Sequence, residues 1–381
     1  MTLLRRIFLL LAVLLAGACT RERVPIDKGL ELAISVHIPQ LGETKAAEGD
    51  VSGESWAETS IKNLKIWVFL ADAIPGHPAG ECLGYLQPAQ DKYPQTGVEN
   101  RYFITLDPDV ATADPLPKVD VYVLANASSI GQGGLGKNTT RAQLEALTLS
   151  GNQFGIQNNA PVQTSVSANN GLPFSAVGKN LSMRGKYPVF YVETVSLRRA
   201  VSKFRFVFSQ LRDAAGTVTD FQVTSLQLDG GLIASQEYLF NDSANPYKIK
   251  TSDATYVADA LLFTPPAVSE VAASYLPEQF VHDRSTMGAQ EYQDLIHKGI
   301  ADGELTSWGL CYLRETDKKL QGTIEYVISG IPGSATFTML DEGDFARNRY
   351  WIVYIYFLSD EIKFSVSWTP WEEGMDFHLT E

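Results

Sequence analysis

The chain has 381 residues, of which 45% are hydrophobic, and it carries a formal net charge of −13. Binding to nucleic acid is driven by clustered Lys and Arg, so a chain this acidic excludes a nucleic-acid partner. Its length and apolar content are enough to bury a substantial core.

The first residues have the pattern of an export signal. Arg5 and Arg6 precede an apolar run, Ile7–Leu15, that is too short to span a bilayer, and small residues lead from there to Cys19. We therefore predict a lipoprotein signal peptide over residues 1–18, with Cys19 as the lipidated first residue of the mature chain. The alternative is an ordinary signal peptide in which this cysteine is incidental.

The next segment, Leu30–Pro39, alternates apolar residues with others, which is typical of a β-strand with one buried face. Its inward-facing residues are predicted to be Leu30, Leu32, Ile34, Val36 and Ile38. The stretch Gln40–Ser60 that follows is polar, acidic and without periodicity, as in a linker. Residues 19–60 are therefore interpreted as lipid tether, first strand and linker.

Further strand patterns follow in the first half, with one amphipathic stretch, Thr140–Leu149, that predicts a short helix capped by Thr139 or Thr140. Residues 151–170 are rich in Gly, Asn, Gln and Ser and predict a loop. The strand candidates of this half are Ile61–Leu70, Tyr102–Leu106, Val119–Ala125 and Pro188–Val195.

The second half continues in the same style, with one helical stretch near Gln290–Ile300. Its strand candidates are Leu197–Phe208, Val218–Leu228, Ala260–Thr264, Thr323–Ser329, Ala335–Leu340, Tyr350–Phe357 and Ile362–Trp368. Short strands separated by turn signals predict an all-β fold of two tandem Greek-key sandwich domains with a few short helices. We place the two domains at residues 61–195 and 196–381.

The sequence contains no recognised catalytic, nucleotide-binding or zinc-binding motif. It contains no nucleophile elbow, P-loop or dinucleotide fingerprint, and no two histidines have a zinc-binding spacing. We therefore expect no catalytic residues, no metal site and no cofactor. Cys82 and Cys311 could pair in an oxidising compartment or remain free thiols. The scattered histidines are His37, His77, His282, His297 and His378.

Aromatic residues are concentrated near the C-terminus, where Tyr350, Trp351, Tyr354 and Tyr356 share one strand candidate. Exposed rings could stack on sugars, but in a sandwich such residues more often fill the core. Because both faces of this strand are apolar, we predict that it is central in its sheet or lies against the neighbouring domain.

Four patches, in order along the chain, resemble the Bacteroidales fimbrillins that build type V pili. They are the strand 119–127 ending in an Ala-Asn pair, the "LPFS" segment at 172–175, the "LRRAVSK" pattern opening at Leu197, and the "RNRY" strand at 347–350 with its following Trp-containing strand. Each patch is weak by itself, but together they are fairly specific. The resemblance implies two transthyretin-like sandwich domains in a structural subunit of a cell-surface fimbrium that contributes to adhesion.

In that family the precursor is exported to the outer membrane as a lipoprotein, and a protease removes the first strand. Another subunit then inserts a strand into the open groove. The resemblance thus implies that Leu30, Leu32, Ile34, Val36 and Ile38 form the strand-exchange segment. It also implies that the partners are other fimbrial subunits and, through the lipid, the outer membrane. A first strand that stays permanently in the sandwich is the alternative.

One departure from the family concerns processing. The family's protease cuts after Arg, whereas no Arg lies between Arg23 and Arg101, and the linker offers only Lys45 before Ala46. Either a protease accepts Lys45, or the strand is never removed and the subunit acts as a membrane anchor. A further alternative is a fimbrial tip adhesin, or a monomeric surface lipoprotein that binds a host glycan or protein.

Overall fold

The computed structural model describes most of the region between residues 30 and 370. The described residues are 30–38, 60–94, 99–150, 156–157, 160–161, 171–210, 221–240, 256–265, 267, 298–299, 302, 305–338, 345–358 and 361–370.

Thirteen short strands are found among the described residues of the first half. They are β1 Glu31–His37, β2 Leu64–Leu70, β3 Cys82–Leu86, β4 Glu99–Thr105, β5 Lys118–Ala125, β6 Thr148–Ser150, β7 Ile156–Gln157, β8 Ala160–Pro161, β9 Phe174–Ser182, β10 Arg184–Lys186, β11 Val189–Tyr191, β12 Val195–Ser196 and β13 Arg198–Arg199. The α-helices are α1 Pro108–Ala111 and α2 Arg141–Glu145, and single 3₁₀ turns lie at Gln90–Lys92 and Ala127–Ile130.

Nine strands follow in the second half. They are β14 Ser202–Gln210, β15 Phe221–Leu228, β16 Gln236–Tyr238, β17 Leu261–Phe263, β18 Thr306–Leu313, β19 Gln321–Ile328, β20 Ile331–Thr338, β21 Arg349–Leu358 and β22 Glu361–Pro370. The prediction of an all-β fold with a few short helices is confirmed.

The first core lies between two five-stranded sheets. One sheet has the order β10–β11–β1–β12, with β4 also paired to β1, and the other has the order β13–β9–β5–β2–β3. Strands β2 and β5 are buried along nearly their whole length. The sheet that contains β1 covers one face of these two strands, and the segment around α2 covers the other face. On that second face, Tyr122 donates a hydrogen bond to Glu145.

The second core lies between two four-stranded sheets, β18–β14–β21–β22 and β17–β15–β19–β20. Aromatic rings fill it, with Phe206 in edge-to-face contact with Phe204, Phe263 and Phe337. Trp351, on β21, packs into the same cluster. Since β21 pairs with both β14 and β22, it is central, and Tyr350, Trp351 and Tyr354 are fully buried. The core role predicted for these rings is confirmed.

The two halves are joined by a segment that follows β15. Strand β16 pairs with β6 of the first half, and Leu239 and Phe240 belong to the first core. Arg347, which lies in the second half, also binds this segment: its guanidinium donates hydrogen bonds to the main-chain oxygens of Tyr238 and Leu239. The domain division at residue 195 stays a prediction.

Two expectations about local structure were wrong. The helix predicted over Thr140–Leu149 is α2, which ends at Glu145, because residues 148–150 form a strand that pairs with β16. Its N-cap is Thr140, in a capping box with Gln143. The segment 188–208 contains four strands rather than two, since short strands at each sheet edge carry the chain from one sheet to the next.

Several predicted segments lie outside the described residues, among them the signal peptide, almost all of the linker Gln40–Ser60 and nearly all of the helical stretch Gln290–Ile300. Among the residues that are described, no helix is long and apolar enough to cross a membrane.

Candidate functional site

Strand β1 lies in the middle of its sheet, between strands that come from distant parts of the chain. It pairs antiparallel with β4 along all seven residues, from Glu31 opposite Thr105 to His37 opposite Glu99. On its other side it pairs parallel with β11 and then β12. Main-chain hydrogen bonds from Leu106 to the Leu30 oxygen and from Leu197 to the His37 oxygen, of 2.7 and 2.8 Å, extend the pairing at both ends.

The inward face of β1 is part of the first core. Four of the five residues predicted to point inward, Leu32, Ile34, Val36 and Ile38, are at most 1% exposed, and Leu30 is half-buried. Burying a branched aliphatic side chain contributes about 1.5–3 kcal/mol. The four buried side chains therefore hold the strand firmly as long as it occupies this place.

The outward face of β1 differs from the expectation of an open surface. Ala33 and Ser35 are only 7% and 8% exposed, because larger side chains on the neighbouring strands shield these small residues. Ser35 also hydrogen-bonds the Glu99 carboxylate, which lowers the pKa of Glu99 together with the nearby Arg101 guanidinium. Ser35 is therefore not an openly exposed position, although alternation places it on the outward face of β1.

Among the described strands, β4 pairs with β1 alone, so β1 connects β4 to the rest of this sheet. Neighbouring strands lie about 4.8 Å apart, so β4 and β11 are separated by roughly 9.6 Å. Without β1, this gap would be an apolar slot with unpaired backbone groups on both walls, and it would fit a single strand.

At the opposite end of the chain, β22 lies at the edge of its sheet. It pairs antiparallel with β21 over ten residues, from Glu361 to Pro370, and has no second partner among the described strands. An edge strand is held on one side only, so it can leave its sheet with less disruption than a central strand.

The remaining residues predicted to be functional are not brought to this slot. Cys19, Lys45 and Ala46 lie outside the described residues. Cys82 and Cys311 are free thiols; the first is exposed on β3, and the second is buried in the second core, where burial raises the pKa of its thiol.

Sequence reasoning missed two exposed rings next to β1. Phe103 on β4 and Tyr191 on β11 lie opposite Ala33 in register, and they are 48% and 51% exposed. They point to the outer face of the sheet, one on either side of the small alanine. Alternation around Phe103 could have indicated an outward ring, but only the pairing places the two rings together.

No family model and no curated protein matches the sequence. Among solved structures, the chain is similar to a fimbrial assembly protein from Parabacteroides distasonis, with 12% identity and a TM-score of 0.46 over 89% of this chain and 99% of that one. It is also similar to the tip fimbrial protein Mfa3 from Porphyromonas gingivalis, with 12% identity and a TM-score of 0.46 over 90% and 99% of the two chains.

Proposed function

We propose that this chain is a structural subunit of a cell-surface fimbrium and that subunits are joined by strand exchange at the slot of β1. The observation that carries the proposal is the placement of β1. It is a single apolar strand inserted between β4 and β11–β12, and the linker Gln40–Ser60 that follows it is mostly polar. Replacing it with a strand of another subunit would restore both rows of backbone hydrogen bonds.

The donor in this proposal is the C-terminal strand β22 of the next subunit. It is an edge strand in the described sheet, and it is long enough to span the seven residues of β1. A slot left by β1 and an edge strand, β22, on every subunit would give a heterologous contact, which propagates into a fibre.

The proposal includes export as a lipoprotein and attachment to the outer membrane through Cys19. N-terminal sequencing of the protein from isolated fibres decides between two roles. A mature start at Cys19 assigns an anchor that keeps β1, whereas a start at Ala46 assigns a stalk subunit processed after Lys45. Two results together would contradict the lipid attachment: a mature N-terminus without lipid at any other position, and a Cys19→Ala variant that partitions into the membrane like the wild type.

The exchange itself is tested by placing a site-specific protease sequence in residues 46–56 of the full chain. After cleavage, we expect SDS-resistant ladders to form, because the slot can accept β22 from a neighbour. A matched chain that lacks residues 361–381 should be cleaved equally well and form no ladder. A cleaved full chain that remains monomeric, even when mild denaturant releases β1, would overturn the proposal.

A second candidate function is glycan binding on the outer face of the β1 sheet. The exposed rings of Phe103 and Tyr191 favour it, since aromatic side chains on a flat face can stack on sugar rings. Binding to a glycan array should then be lost in the Phe103→Ser and Tyr191→Ser variants. It should be kept in Leu262→Ser, which changes another exposed apolar residue far along the chain.

A further inference from the structure

A mixed cluster of metal-binding side chains lies where the β2–β3 loop meets the β4–α1 junction. His77, Asp107 and Asp109 each offer one donor atom, and these atoms all lie within 4.8 Å of one another. His77 comes from the loop, while the two aspartates flank the first residue of α1, some thirty residues later. The cluster therefore forms only when the two segments fold together.

The imidazole of His77 is already oriented. The main chains of Ile74 and His77 exchange two hydrogen bonds, of 3.0 and 2.9 Å, which close a tight turn. The Nδ1 atom of His77 lies 3.1 and 3.2 Å from the two carboxylate oxygens of Glu81, a residue outside the donor trio. Histidine ligands of metals characteristically bond a carboxylate through the other ring nitrogen in this way, which leaves Nε2 for the ion.

In the described part of the chain, neither Asp107 nor Asp109 forms an ion pair with a lysine or arginine. One oxygen of Asp107 accepts the main-chain N–H of Asp109 at 3.0 Å, so its second oxygen is available. A divalent cation between the two carboxylates would relieve their mutual repulsion.

The donor set selects the class of ion. Calcium and magnesium prefer oxygen donors only, whereas one imidazole with two carboxylates suits zinc and related first-row divalent metals. Donors around a tetrahedral zinc ion lie about 3.3 Å apart, given zinc–ligand bonds of roughly 2.0–2.1 Å. Exposed aspartates can close the remaining distance by rotation of their side chains.

We propose that His77, Asp107 and Asp109 form a zinc site, with Glu81 orienting the imidazole. A bound ion would tie the β2–β3 loop to the start of α1, and solvent or a donor from another molecule would complete its coordination. None of its residues lies on β1 or its pairing partners, although Asp107 follows Leu106, whose N–H donates to the Leu30 oxygen.

The test is a titration of the tag-free, full-length chain with Zn²⁺ by calorimetry, together with Co²⁺ absorption as a probe of tetrahedral coordination. We expect one ion per chain. His77→Ala and Asp109→Asn should each weaken binding by at least about tenfold, and Glu81→Gln by about 10–100-fold. Metal-free melting curves that match the wild type show that these variants fold.

Two controls make the assignment specific. Asp72→Asn removes an exposed aspartate from the same loop and should leave the affinity unchanged. Cys82→Ser should also leave it unchanged, although this exposed thiol follows Glu81 directly. The proposal is overturned if the wild type binds no stoichiometric zinc, if His77→Ala and Asp109→Asn bind like the wild type, or if Cys82→Ser abolishes binding.

Discussion

At the scale of single residues, Asn126 explains why an Ala-Asn pair ends β5. It has a left-handed backbone, with φ of 58°, a conformation that Asn adopts more readily than most residues. Its buried side chain donates to the main-chain oxygens of Ser60 and Leu172 and accepts from the Lys62 N–H. One amide thus ties together three segments that are far apart in sequence.

We predict that Asn126→Ala lowers the free energy of unfolding by about 2–4 kcal/mol more than Asn180→Ala does. Both residues have a positive φ, so the backbone penalty is shared, but the Asn180 side chain is exposed. Denaturant unfolding of both variants measures the difference. Equal losses would mean that the three hydrogen bonds of Asn126 contribute nothing.

A second feature at this scale is a buried charge cluster between the halves. Arg347 bonds Glu315 at 2.7 Å and lies 3.9 Å from Glu237, and all three side chains are at most 3% exposed. The guanidiniums of Arg347 and the nearby buried Arg314 both favour the charged form of Glu237, but they do not offset its burial. Burial raises the pKa of Glu237 well above its ordinary value, although the charge of Arg347 opposes this shift.

A glutamate whose pKa is raised by folding binds its proton more tightly in the folded state than in the unfolded state. Stability must therefore fall as the pH rises from about 4.3, the ordinary value, towards the raised pKa. We predict that Glu237→Gln, which cannot ionise, becomes progressively more stable relative to the wild type as the pH rises from about 5 into the neutral range. Urea unfolding across this range measures the trend.

Glu145→Gln is the matched control for this trend. Hydrogen bonds from Lys179 and Tyr122 lower the pKa of Glu145 even though its burial opposes the shift. A carboxylate whose pKa is lowered by folding stabilises the folded state, and this stabilisation is lost only at pH values below the ordinary pKa of glutamate. The difference in stability between Glu145→Gln and the wild type should therefore be constant from about pH 5 upwards. A flat profile for Glu237→Gln as well would contradict the assigned direction.

At the scale of elements, β1 combines a buried inward face with a position between two other strands. We predict that Ile34→Ala lowers the free energy of unfolding by about 2–5 kcal/mol, since it leaves a cavity in the first core. Glu31→Ala, on the outward face of the same strand, should change it by less than about 1 kcal/mol. Chemical denaturation of the uncleaved chain compares the two, and similar losses would refute the inward orientation of Ile34.

Strand patterns were sufficient to predict most elements, among them β1, β2, β5, β15 and β21, because strict alternation or a dense apolar run is a local property. They were insufficient for others, among them β3, β9 and β18. Phe174–Ser182 contains glycine, lysine and asparagine, and only its pairing with β5 makes it a strand. Likewise, the pattern at 188–208 could not indicate a switch between sheets, which depends on the partner strands.

At the scale of the whole molecule, the segment from β16 to Phe240 couples the two cores. Phe240 makes an edge-to-face contact with Tyr122, with ring centroids 5.1 Å apart, although it follows β15 in sequence. Arg347 and Ser175 bind the Leu239 oxygen from opposite halves. The first core is therefore complete only when the second half is folded against it.

We predict that Phe240→Ala destabilises the first core by about 3–5 kcal/mol and separates the unfolding of the two halves. Fluorescence of chains that retain only Trp67 or only Trp351 reports on each core. The Trp67 signal should change at lower denaturant in the variant, while the Trp351 signal shifts much less. A common shift of both signals would mean that the cores unfold as one unit regardless of this contact.

The sequence by itself determined the class of fold, the net negative charge and the alternation of β1, because composition and local periodicity carry these properties. Only the tertiary structure decided which strands flank β1, that Ser35 is shielded, and that His77 meets Asp107 and Asp109. These properties depend on pairing between segments tens of residues apart, and the same local pattern is compatible with many pairings. Long-range contacts, and not local preference, therefore create both the slot and the proposed metal site.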